Sequence, residues 1–109
     1  MDFKNDMKKY ILTTTFAIFS FLSIFAIPNG CYSGESRHNR DRCAIQISDN
    51  TFHVTNKEGE VIARWTIVSD ENGKLTLKSV YGATVSATWW REDGKTYLKF
   101  NYELFTRMD

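Results

Sequence analysis

The residues best placed to do chemistry in this chain are two cysteines, Cys31 and Cys43, with His38 and His53 in the same stretch. Such a set offers three kinds of chemistry: a disulfide, a thiolate and imidazole metal site, or a modified thiol. An exported cysteine pair usually forms a bridge. Closing a loop of this length contributes about 3 kcal/mol in the chain-entropy model. The spacing of the two thiols and two imidazoles matches no zinc pattern. The expectation is therefore a Cys31 to Cys43 disulfide, with no metal and no cofactor. A lipid on Cys31 would use up the thiol, so lipidation and the bridge exclude one another.

Enzymatic chemistry needs a nucleophile with a base and an orienting group, or a pair of carboxylates on a rigid frame. The acidic residues Asp49, Glu58, Asp70, Glu71, Glu92 and Asp93 fall mainly at turns, where they favour the turn and solubilise it. His53, between Phe52 and Val54, takes the polar side of its strand, and no glycine-rich phosphate loop occurs. The expectation is a protein that is not an enzyme. Aromatic side chains are the unusual feature, at 15% of the chain. Most of those beyond the first thirty residues must fill a core. The neighbours Trp89 and Trp90 cannot both do so, because adjacent residues of a strand face opposite ways. One of them, with Tyr81 and Tyr97, forms a candidate patch for a protein, glycan or lipid partner, or packs beneath the chain's polar arm.

These residues need a frame. Lys4, Lys8 and Lys9 precede an apolar segment from Tyr10 to Ile27 that is broken only by Thr and Ser, and Pro28, Asn29 and Gly30 end it. This is the layout of a secretory signal, and its length lies between a signal core and the shortest spanning helix. Residues 1–30 are read as a signal peptide or membrane anchor, with cleavage before Cys31 expected. The Gly30-Cys31 junction also resembles that of bacterial lipoproteins, although Pro28 and Asn29 replace the aliphatic and small residues usual there. A membrane would be engaged only through this segment or through a lipid on Cys31. The protein is expected to be exported: periplasmic, secreted or held at the envelope.

Counting from Cys31 leaves 79 residues, enough for one small core. Setting aside Lys4, Lys8, Lys9, Asp2 and Asp6 leaves 11 cationic and 11 acidic side chains, a balance that argues against nucleic acid as a partner. Residues 31–43 read as a polar, basic arm tied by the disulfide. Residues 44–109 alternate apolar and polar positions between turn residues, the pattern of an antiparallel sheet. Strands are expected around Ile45 to Ile47 and Phe52 to Val54, then along Glu60 to Ser69 as a central strand apolar on both faces. Others follow around Leu75 to Leu77, from Ala83 to Trp90, and as one long strand from Thr96 to Phe105. Hairpin-length links leave no room for helical crossovers. The fold class is therefore all-β: an antiparallel meander of about six strands, curled into a barrel or half-barrel.

The run Ile47-Ser48-Asp49-Asn50-Thr51-Phe52, then Gly59, Trp65-Thr66-Ile67 and Asn72-Gly73-Lys74-Leu75-Thr76-Leu77 resembles the small lipocalin-like domains of exported bacterial proteins. The resemblance implies a meander barrel. That family opens on a Gly-x-Trp strand, which has no counterpart between Cys31 and Cys43, so no site residues carry over. The functional expectation is an exported, non-enzymatic binding or inhibitory module that uses an aromatic-bearing face. The alternatives are a membrane-anchored structural protein of the envelope and a lipocalin-like carrier of a small apolar ligand.

Overall fold

The computed structural model describes residues 26–109, and nearly all of the apolar segment expected to act as a signal peptide or anchor lies outside them. Eight antiparallel strands close into a barrel in simple chain order. They are β1 (Gly30–Gly34), β2 (Ile45–Ser48), β3 (Thr51–Thr55), β4 (Val61–Glu71), β5 (Lys74–Lys78), β6 (Thr84–Glu92), β7 (Lys95–Phe100) and β8 (Glu103–Arg107). The barrel is sealed by pairing of β1 with β8, Tyr32 opposite Arg107 and Gly34 opposite Phe105. Closure removes the two exposed edges an open sheet would present.

Alternation builds the interior. Ile45 and Ile47 of β2, Phe52 of β3, Leu75 and Leu77 of β5, Leu98 of β7 and Phe105 of β8 all point inward and are buried. Phe52 and Phe100 meet at 5.1 Å between ring centroids, tilted by 59°. An eight-stranded barrel has a lumen just wide enough for side chains to fill it, or for one small ligand. Here the side chains fill much of it.

The meander has two strands more than the sequence pattern predicts, for two separate reasons. First, the polar arm begins with a strand. β1 carries a single large side chain, Tyr32, which is wholly buried, so one inward residue suffices where the pattern calls for a run of apolar residues. Second, the long final strand is two. Asn101 (φ 53°) and Tyr102 (φ 67°) form a left-handed two-residue turn. Phe100 therefore faces Glu103 across a hairpin, and Leu104 pairs with Lys99 on the outer surface. Tyr102, which the alternation of a single strand would put on one face with Leu98 and Phe100, is 97% exposed. The expectation for β4 also changes: Val61, Ala63, Trp65 and Ile67 alternate inward, while Ile62 and Val68 lie exposed on the outside.

Cys31 of β1 and Cys43, two residues before β2, are joined in a disulfide with Cα atoms 5.0 Å apart. The Cys31 thiol is thus used up, which leaves none for a lipid. The rest of the former arm is a loop pinned to the barrel. The Glu103 carboxylate accepts the Ser36 backbone N–H and the Asn39 side-chain amide, both at 2.9 Å. The Arg42 guanidinium donates to Thr55 Oγ1, the Thr55 carbonyl and Asn39 Oδ1. Gly34 lies where a Cβ would collide with the Glu103 carboxylate and the Phe105 ring, so this seam requires glycine for close approach.

Candidate functional site

The two ends of the barrel are built differently. At one end lie the β2–β3, β4–β5 and β6–β7 turns, and residues 27–29 cross the opening there. Gly30 starts β1, whereas Ile27, only three residues earlier, donates its backbone N–H to Asp70 Oδ2 of β4 at 2.9 Å. β4 stands three strands from β1 round an eight-stranded ring, so the segment crosses the mouth. Tyr32 donates its hydroxyl to the Pro28 carbonyl at 2.7 Å, and Arg107 Nε donates to the Asn29 carbonyl at 2.8 Å. The Asn29 side chain accepts the Asp49 N–H. Ile27 itself is buried and belongs to the core. This end is plugged.

Asp70 reaches the interior because of a β-bulge. The register between β4 and β5 slips between Ile67 and Ser69, so Asp70 pairs with inward-facing Leu75. Without the slip, Asp70 would share the outward parity of Val68. Its carboxylate also accepts the indole N–H of Trp89 at 3.0 and 3.1 Å. Sequence reasoning places Asp70 in a turn, because a one-residue bulge leaves no mark in the alternation.

At the opposite end the wall is split. Residues Thr84 to Ala87 of β6 pair with β5, but pairing of β6 with β7 begins only at Thr88 opposite Lys99. β7 ends one residue later, at Phe100, so β6 runs on past the β7–β8 turn and a cleft of about 520 Å³ lies between them. Trp65, Val85, Ala87 and Phe100 give it apolar walls, and Lys99 and Tyr102 stand at its rim. Trp65 Nε1 is buried and has no hydrogen-bond partner, alone among the described side-chain polar atoms. A buried donor left unmade costs about 1–3 kcal/mol, and such exceptions concentrate where a site has another purpose. Val80 and Tyr81, in the β5–β6 turn at this same end, are 85% and 94% exposed.

The four aromatic residues singled out from sequence do not form one patch. Trp89 turns inward to Asp70, and Trp90 turns outward, as their adjacency requires. Trp90 stacks on Tyr97 across the β6–β7 pair, with centroids 5.7 Å apart and planes 26° apart. Tyr81 lies beyond the start of β6, and the six positions from Thr84 to Trp90 span roughly 20 Å at the rise of a strand. Trp65 and Phe100, which line the cleft, carry no signal of their own: each reads as an ordinary core aromatic in an alternating strand.

No family model, no curated protein and no solved structure matches this chain. The closed antiparallel meander is compatible with a lipocalin-like barrel, and the disulfide is consistent with an oxidising compartment.

Proposed function

We propose that this protein is an exported, non-enzymatic binding module of lipocalin-like architecture that takes a small apolar ligand in the cleft between β6 and β7. The observation that carries this reading is the cleft itself: its volume falls in the range of small-molecule sites, its walls are apolar, and one of its aromatic residues holds an unpaired donor. The exposed Val80, Tyr81 and Tyr102 on the same end supply an apolar approach. Lys99 at the rim suits a ligand whose other end is anionic.

The test is titration with N-phenyl-1-naphthylamine, a neutral dye that fluoresces in apolar sites, followed by displacement with lauric acid. Saturable binding is expected, with a Val85→Trp variant that fills the cleft weakening it about tenfold or more, equivalent to 1.4 kcal/mol. Dye affinity unchanged in a folded Val85→Trp variant would sink the assignment. A second reading rests on the Trp90–Tyr97 stack, a flat outward aromatic surface of the kind that contacts glycans or protein partners. If the dye ignores Val85→Trp and a partner is lost in Trp90→Ser, that surface is the site instead.

A further inference from the structure

The plugged end bears on how the chain is processed; the inference rests on the export reading. Cleavage before Cys31 would remove Ile27 from the core together with the carbonyl acceptors of Tyr32 and Arg107 and the Asn29 bond to Asp49. It would also leave Gly30, the first residue of β1, behind on the discarded piece. A cut four residues earlier loses none of these. Ala26 closes the apolar run before Ile27 and is exposed; it supplies the small residue immediately before the scissile bond that signal peptidases prefer, while Ile24 stands where an A-x-A site has its other small residue.

At Ile27 the structure holds a half-buried carboxylate against the very nitrogen such a cut would free. Asp70 Oδ2 lies 2.9 Å from Ile27 N, and the other hydrogen bonds to this carboxylate come from the neutral indole of Trp89. Among the described residues, no lysine or arginine side chain hydrogen-bonds to it. Pairing a desolvated carboxylate with a cation offsets the cost of burying its charge.

We propose that the chain is cut between Ala26 and Ile27 during export, and that the new α-ammonium of Ile27 pairs with Asp70 to lock the plugged end of the barrel. The step is a hydrolysis by a peptidase of the export machinery. The Ala26 carbonyl carbon to Ile27 nitrogen bond breaks, water supplies the hydroxyl that completes the Ala26 carboxyl group, and its hydrogen goes to the amine, which takes up a further proton at neutral pH. The leader is released and the barrel keeps its plug. The peptide N–H seen against Asp70 then becomes one of three donors of a charged group at the same place.

The experiment expresses the full chain in a host that exports it and determines the N-terminal residue and intact mass of the folded product. A product that begins at Ile27 and gains two hydrogens on reduction is the expected result. A product that begins at Cys31, or at any other residue, overturns this proposal and leaves export standing. A full-length product retained in the cell overturns the export reading as well. The ion pair is tested separately by acetylation of the exported protein at neutral pH. The Ile27 amine is expected to react at least tenfold more slowly than in an Asp70→Asn variant, and equal rates in the two folded proteins would overturn the pairing.

Discussion

Tyr32 illustrates how much one side chain carries here. It is the largest fully buried residue of β1, and its hydroxyl closes the plugged end by donating to Pro28. Burial holds the phenol neutral and pushes its pKa up to about 12, against the opposing pull of the Arg107 and Arg91 charges. An unfolded tyrosine titrates near 10. Between about pH 10 and 12 the unfolded chain has therefore given up a proton that the folded chain still holds, so the stability this group contributes is full below about pH 10 and declines as pH rises through 12. A Tyr32→Phe variant should lose about 1 kcal/mol at neutral pH with the hydroxyl bond. It should also lack the part of the alkaline decline due to this residue, on the order of 2 kcal/mol. Denaturant midpoints of the two proteins from pH 8 to 12 check this: curves that stay parallel throughout would show that Tyr32 is not the titrating group. The division of Trp89 and Trp90 was legible from their adjacency alone. The inward turn of Asp70 was not, because a bulge at Val68 reverses the parity that sequence spacing implies.

At the scale of elements, the disulfide ties β1 to the segment that leads into β2, and both strands are short and carry few large residues. β1 and β2 exchange only three register pairs, so the constraint that Cys31–Cys43 places on the unfolded chain matters. Replacing both cysteines with serine is expected to lower stability by about 3 kcal/mol while leaving the strand content intact. Far-UV circular dichroism together with guanidinium unfolding measures the two effects, and an unchanged midpoint would refute the expected contribution. The pair was legible in the sequence because the chain has two cysteines and their spacing with the histidines matches no metal pattern. Turns were legible where glycine marked them: Asn72-Gly73 and Asp93-Gly94 both show the paired positive φ of tight hairpins. Asn101-Tyr102 adopts the same shape with no glycine, so the break between β7 and β8 was hidden inside what reads as one alternating strand. β1 was hidden for a related reason, since an arm of Gly, Ser and Cys around a single tyrosine has too few apolar positions to show a period.

The described residues close into a ring, and a ring depends on its last seam. Eight strands were not countable from the sequence, but the antiparallel meander was, and closure follows once β1 and β8 are both present. The cleft lay beyond reach of the sequence because it depends on how far β6 outruns the β7–β8 turn, a property of strand length and register instead of residue type. The seam itself is open to test at Thr106, which pairs with Ser33 of β1 on one side and Tyr97 of β7 on the other. A proline there removes a backbone donor and forces its ring into a strand with neighbours on both flanks. With β8 displaced, β1 and β7 would each present an unpaired edge, and such edges seek other strands. Thr106→Pro is therefore expected to form dimers or larger aggregates that the unchanged protein does not, while Lys57→Pro, at the second position of the Asn56–Gly59 turn between β3 and β4, where proline is favoured, should leave the association state unchanged. Size-exclusion chromatography with light scattering separates the outcomes. A Thr106→Pro protein with association state and strand content both unchanged would mean that the barrel does not rely on the β1–β8 seam for closure, and that seven strands suffice to bury this core.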